Sequence, residues 1–454
     1  EFIMRNHICK LFILLFILLF IFLSFTYIAP GAGYEYTIDI NKSYQEIEGF
    51  GASIAWYENY VTAHPNKAEL YDVMFKELDL DFLRLQNWYG KRDRVAQHEA
   101  EIVREAEKSL GRPIKVLITS WTPPQDLKSN NHLHGGTLIK ENGAYAYDKF
   151  ADYWYQSLLA YAEEGIVPEF ISIQNEPDYN ATWNSCLFAP TETEELAGYD
   201  KALAAVYEKL HQEMENPPLL IGPETIGIGY TDFYKYLEYM NLDYIYAIGH
   251  HLYNGGDYAN PATFKHGMNK LAEDYKDIPR FQTEFERGDD GLKTAWLMHT
   301  TFVEENANAY FYWDLIWDNG GLIFLESPYF KYQWRTEKGF YRTDEYYAFK
   351  HFSRYIKAGF TRVDVDEGHN RIKVSAYISP NRKELVIVGI NTQVVEQRIK
   401  LHVPGFNFTD SELYKSVFVK EGKKFEYEGS INDERAVSLP PHSVITVRLL
   451  AENS

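Results

Sequence analysis

Cysteine is almost absent. The 454-residue chain has two, Cys9 and Cys186. Cys9 falls in a stretch read below as a cleavable leader, so a mature form has no internal disulfide and relies on core burial alone. Positive charge is also scarce: 45 Lys and Arg against 65 Asp and Glu leave a formal net charge of −20. That excludes the basic face that nucleic acid or an anionic membrane requires of a partner. No Gly-rich phosphate loop follows any apolar run, which removes the commonest reason for an open nucleotide-binding sheet. His132-Leu-His134 has no third ligand at matching spacing, so no metal or other cofactor is expected. Beyond the leader there is no internal repeat and no low-complexity stretch.

What the chain does have is aromatic bulk, with 9 Trp, 36 Tyr and 28 Phe. Such residues fill a large core or line a groove for a flat, weakly apolar ligand such as a sugar. At the start, residues 1–33 read as a cloning remnant, Glu1–Ile3, followed by a secretory signal. Arg5 and Lys10 supply its basic start, Leu11–Leu23 its apolar run, and Ala29-Pro-Gly-Ala-Gly33 its small-residue exit. The expectation is a secreted, monomeric protein with no membrane segment in the mature form.

From about Gly49 to Asp314, eight β-like runs alternate with helical ones. The runs are Ile47–Ser53, Phe82–Gln86, Ile114–Ser120, Phe170–Asn175, Leu219–Gly222, Tyr244–His250, Arg280–Thr283 and Ala309–Trp313. Helices are expected at Pro65–Leu78, Tyr147–Glu164 and Thr193–Met214, the last opening on a Thr191/Glu194 capping box. Eight such alternations over this length predict an α/β fold, a (β/α)8 TIM barrel, over residues 49–344. After about Glu345 the runs become short and β-branched: Thr361–Asp364, Ile372–Ile378, Leu385–Ile390, Gln397–His402, Ser416–Val419 and Ser443–Leu449. Residues 345–454 therefore read as an appended all-β sandwich side domain, which the strand in residues 34–48 is expected to join.

In a TIM barrel the chemistry sits where strands end. The second strand ends near Arg84, with Trp88 beyond it, and the third delivers Trp121. The fourth delivers Asn175 and Glu176 in SIQNEPDYN, and the fifth Glu224. The sixth delivers His250, His251 and Tyr253, the seventh Glu284 in RFQTE, and the eighth Trp313. Glu176 and Glu284 belong to strands four and seven, across the mouth from each other. Two carboxyl groups facing a cleft suit glycosidic bond cleavage, in which one donates a proton and the other attacks the anomeric carbon. A negative Glu284 would raise the pKa of Glu176, while Arg84 and the Tyr253 hydroxyl would keep Glu284 ionised. Asn175 is placed to hold a sugar hydroxyl. Of the adjacent pair His250 and His251, alternation lets at most one face the mouth.

SIQNEPDYN resembles the acid/base motif of clan A glycosidases, and specifically of glycoside hydrolase family 30. EIEGFGASIAW (46–56), DFLRLQNWYG (81–90), VLITSWTPP (116–124), RFQTE (280–284) and NAYFYWD (308–314) resemble that family's blocks in the same order. The resemblance spans nearly the whole mature chain and is nearest to the xylanase branch. It implies a retaining endo-β-1,4-xylanase acting on the polysaccharide xylan, with Glu176 as acid/base and Glu284 as nucleophile. Trp56, Trp88, Tyr253 and Trp313 would then pack against xylose rings. One departure stands out. Glucuronoxylan-specific members hold the glucuronate branch through an arginine after strand eight, where this chain reads DLIWDNGGLI and reaches its next arginine only at Arg335. Strict dependence on that branch is not expected. Two rival readings are a β-1,6-glucanase of the same chemistry and a non-catalytic sugar-binding protein, the latter at odds with two retained carboxylates.

Overall fold

In the computed structural model, residues 33–92, 95–229, 231–288, 290–318, 320–366, 372–431 and 435–451 are described. Residues 1–32, which hold the segment read above as a cloning remnant and leader, lie outside them. Eight strands form a closed barrel in chain order: Gly49–Ile54, Phe82–Gln86, Lys115–Thr119, Phe170–Ser172, Leu219–Thr225, Ala247–His251, Arg280–Glu284 and Ala309–Asp314. Every neighbouring pair is parallel, and the eighth strand pairs with the first to complete the ring. These runs are buried on both faces, hence their near-continuous apolar character.

The barrel is plugged below and polar above. Phe82, Leu117, Phe170, Ile221, Ala247, Phe281, Ala309 and Phe311 pack into one interior cluster. Gly51 makes room for it, since a Cβ there would stand 2.6 Å from the Phe311 ring and 2.8 Å from Phe82 Cβ. Two residues further along the second and third strands, on the same face by strand alternation, stand Arg84 and Thr119. The interior thus changes from hydrocarbon to hydrogen-bonding groups toward the strands' C-terminal ends.

Two helices differ from expectation. The helix expected from Thr193 begins at Tyr199 and runs to Glu213. Thr191, expected to cap it, instead donates its hydroxyl to Asp200 Oδ2 at 2.8 Å, the Thr193 hydroxyl accepts from the Glu195 and Leu196 N–H groups in a local turn, and the chain is still extended at Gly198. The segment expected as Pro65–Leu78 is helical over Lys67–Lys76, with a wider π turn at Asp72–Lys76. Tyr147–Glu163 ends where expected, before Gly165 at φ +86°.

The β domain is one nine-stranded sheet. Its strands are Tyr34–Glu46, Thr361–Val365, Ile372–Ile378, Glu384–Asn391, Gln397–His402, Phe408–Val417, Glu426–Gly429, Ala436–Leu439 and Ser443–Ala451. Tyr34–Glu46 lies inside the sheet, antiparallel to Thr361–Val365 and parallel to Gln397–His402. The sheet folds over a core that includes Tyr36, Ile38, Ile387, Ile399, Leu439 and Ile445. The strand expected at Ser416–Val419 is the end of the longer Phe408–Val417, whose middle carries polar, half-exposed residues. Helix Asp344–Ser353 joins domain to barrel. Its buried His351 contacts the Thr446 and Ser416 hydroxyls, each at 2.8 Å.

Candidate active site

Arg84 is the hub. Fully buried on the second strand, it lays its guanidinium 4.5 Å from the Trp121 ring centroid and 5.9 Å from that of Trp313. Its Nη1 donates to Glu284 Oε2 at 2.6 Å, its Nη2 to Asn175 Oδ1 at 2.8 Å and to Glu224 Oε2 at 3.5 Å, and its Nε to Thr119 Oγ1 at 3.3 Å. One cation therefore ties together residues from five strand ends. Planar, multidentate binding of this kind is what guanidinium geometry suits.

The carboxylates are aimed by backbone irregularities. Gln282 pairs with His250 and Glu284 with His251, so the seventh strand carries one extra residue, which turns Glu284 inward. The fifth strand has the same excess around Glu224. Glu176 and Glu224 sit at φ +46° and +53°, a left-handed conformation that ordinary residues seldom adopt and that surrounding structure must hold. Part of that hold is a hydrogen bond from Glu176 N to Glu224 O at 2.9 Å.

One carboxylate oxygen of Glu176, one of Glu284 and one ring nitrogen of His251 all lie within 4.8 Å of one another. Glu284 Oε1 accepts from the Tyr253 hydroxyl at 3.1 Å, and Glu176 Oε1 meets His251 Nδ1 at 3.0 Å. His251 Nε2 faces Glu284 at 3.8 Å and Glu224 at 4.0 Å. Such a trio could reach a metal ion, but the Arg84 guanidinium already occupies Glu284 and would repel a second cation.

Burial pushes the Glu176 carboxyl up to about 8, with the Glu224 charge adding to it and Arg84 opposing. The neighbour that raises Glu176 is thus Glu224, where the sequence pointed to Glu284. Burial also raises Glu284, against His251 and Arg84. Glu224 is held below the usual carboxylate range because Arg84 and His251 outweigh its burial. Burial lowers His251 to about 4, so its imidazole is neutral at neutral pH. Glu284 has two direct donors and Glu176 a single imidazole contact, so Glu284 is the first of the pair to ionise.

Above the pair opens a cleft of about 600 Å³ walled by Trp56, Trp121, Tyr253, Trp313 and Trp317, with Tyr179, Trp183, Ile226 and Arg287. The structure brings together Trp56, Arg84, Trp121, Asn175, Glu176, Tyr253, Glu284 and Trp313. Trp88 does not join them. It is 2% exposed, its Nε1 donates to buried Glu58 at 2.8 Å, and it backs Trp56 edge-on at 6.0 Å. Sequence reasoning left His251 undecided and did not single out Trp317, Tyr179 or Arg287. His251 was within reach, because Ala247 is a barrel-interior residue and His251 shares its parity, while His250 faces outward to Glu305 at 2.7 Å. Arg335 stays outside the cleft, beside a second cavity and near Glu326 at 3.6 Å.

Residues 72–197 match the model of the glycosyl hydrolase family 30 TIM-barrel domain. A glucuronoxylanase, XynC of Bacillus subtilis, is 24% identical over 381 residues, covering 79% of this chain and 78% of its own. The fold is shared with the glycoside hydrolase family 30 subfamily 8 xylanase Xyn30A from Clostridium acetobutylicum, at a TM-score of 0.71 and 24% identity over 92% of this chain and all of that one. It is shared equally with the endo-β-1,6-glucanase BT3312, at a TM-score of 0.70 and 15% identity over 92% and 94%. Residues 72–197 therefore carry a glycosyl hydrolase family 30 TIM-barrel segment, the opposed acid pair stands at the barrel's mouth, and the fold of the chain is the one that a family 30 xylanase shares.

Proposed function

We propose that the chain is a secreted, retaining endo-β-1,4-xylanase with Glu176 as acid/base and Glu284 as nucleophile. The observation that carries the reading is the gap between the two carboxylates. Oxygens within 4.8 Å suit a covalent glycosyl–enzyme intermediate, for which about 5–5.5 Å is usual, and leave no room for the water that inversion places across about 6.5–9.5 Å. Glu284 attacks the anomeric carbon as the glycosidic C–O bond breaks, and Glu176 gives its proton to the departing oxygen. Glu176, now ionised, takes a proton from water. The resulting hydroxide displaces Glu284 from the sugar, restoring both groups.

Neighbouring groups serve this cycle. Neutral His251 with its proton on Nε2 accepts from protonated Glu176 at Nδ1 and turns its N–H toward Glu284. Asn175, held through its Oδ1 by Arg84, has its amide nitrogen left for a sugar hydroxyl. Xylan is favoured by the glucuronoxylanase relative and by the aromatic walls. With Arg335 outside the cleft and Arg287 in its wall, glucuronate branches are tolerated but not required. The basic start and apolar run of the first 33 residues support secretion. NMR of the first-formed product tests the mechanism: retained β-configuration supports it, and inversion removes the covalent route. Glu284→Gln should abolish turnover while xylan binding persists. Reducing-sugar release from linear xylan, glucuronoxylan and β-1,6-glucan tests the substrate, and cleavage of the glucan alone would favour the glucanase reading.

A further inference from the structure

The loop after the eighth strand leaves the cleft at Trp317 and later forms the short turn Pro328–Gln333. Its base is firmly tied. Trp334 stacks on His64 with centroids 5.1 Å apart and planes at 3°, and its Nε1 donates to Ser327 O at 2.8 Å. Glu326 accepts from the Arg335 and Thr336 backbone N–H groups and from the Thr336 hydroxyl. Between these anchors the tip presents Tyr329, Phe330 and Tyr332, which are 56%, 48% and 80% exposed. Since Trp334 and Glu326 secure the loop, holding it does not explain rings left in water. Such a concentration of exposed aromatic surface marks a binding face.

Tyr329 continues the cleft wall outward, and Phe330 and Tyr332 pack beside each other at 6.3 Å on the same turn. From Trp317 in the cleft wall, ring contacts step to Tyr57 at 4.8 Å, on to Tyr60 at 5.2 Å, and then to Tyr329 at 5.5 Å. We propose that this aromatic ridge binds the polysaccharide outside the cleft, gripping the part of the same substrate chain that runs out past Trp317. Tyrosine suits that ligand because an apolar ring face and a hydroxyl tip match the apolar faces and hydroxyl rims of sugar rings. A loop tied at its base presents the rings at little ordering cost. The inference rests on the proposed xylanase reading and adds a polymer-binding surface to it.

The test is the double variant Tyr329→Ala/Tyr332→Ala, assayed on long linear xylan and on a nitrophenyl xylobioside short enough to stay in the cleft. KM for the polymer should rise about tenfold, the loss of roughly one stacking contact's worth of affinity. Its kcat, the kcat/KM for the short substrate and the melting temperature should all hold. An unchanged polymer KM, or an equal loss on both substrates, overturns the ridge and leaves the acid pair standing. Wild-type protein that cleaves no xylan overturns the substrate reading and the ridge's ligand together, and is distinguished by the wild-type arm alone.

Discussion

In the folded protein Glu176 keeps its proton up to about pH 8, whereas a free glutamate titrates at 4.5. Below 4.5 both states are protonated and the group favours neither. Between 4.5 and 8 the unfolded chain releases a proton that the fold retains, so stability falls as pH rises. The loss is about 1.4 kcal/mol per pH unit, amounting to roughly 3 kcal/mol at pH 7 and roughly 4 kcal/mol by pH 8. Glu176→Gln removes this titration while keeping the side chain's shape, and its amide can donate to His251 Nδ1 as the protonated acid does. The variant should therefore gain on the wild type as pH rises, by less than roughly 1 kcal/mol at pH 5 and roughly 3 kcal/mol at pH 7. Urea unfolding of both proteins at pH 5, 6, 7 and 8 measures the difference directly. A gap that stays constant with pH would refute a raised carboxyl at this position. The same variant should release almost no sugar from xylan, so a gain in stability would accompany a loss of function.

Tyr253→Phe deletes one of the two direct donors to Glu284, which raises the pKa of that carboxyl. The acid limb of the kcat/KM profile should move up by about one to two pH units, because a hydrogen bond to a charged group is worth about 1.5–3 kcal/mol; a limb that stays or moves down would contradict the role. Arg84→Met leaves Glu284 and Glu224 buried without their cation and should cost about 3–5 kcal/mol in urea unfolding, along with nearly all activity. Trp56→Ala should raise KM and leave the melting temperature nearly unchanged. Trp88→Ala should instead destabilise by about 3–5 kcal/mol, the usual cost of emptying a buried tryptophan site.

Much of the scaffold was legible because barrel strands covered on both faces are short apolar runs closed by polar punctuation, and all eight stood out that way. The acid pair could be named because each glutamate ends such a run. Facing direction was harder to read. Trp88 lies two residues past a strand end and looks as available to a ligand as Trp56, until Glu58, from a helix thirty residues earlier, claims its indole. The inward turn of Glu284 depends on an extra residue in one strand, visible only once the partner's register is known. Glu426–Gly429 escaped notice because it is largely exposed and lacks the apolar alternation that marks a half-buried strand. The late start of helix Tyr199–Glu213 was hidden because Thr191, which reads as a cap, bonds Asp200 inside the helix, while Thr193 closes a turn that precedes it.

The placement of Tyr34–Glu46 inside the β sheet has a bearing on how the protein is made. The Tyr36 hydroxyl donates to the carbonyl of Ile372, 336 residues downstream. A ribosome adding about 5–20 residues per second needs roughly 15–70 s to supply that partner. Meanwhile the whole barrel emerges, and the first strand waits with Ile38 and Ile40 unpaired and both edges open. Shielding that segment during synthesis is a task for a chaperone or for the nascent barrel. A chain cut short before Thr361 would leave it permanently exposed as a seed for aggregation.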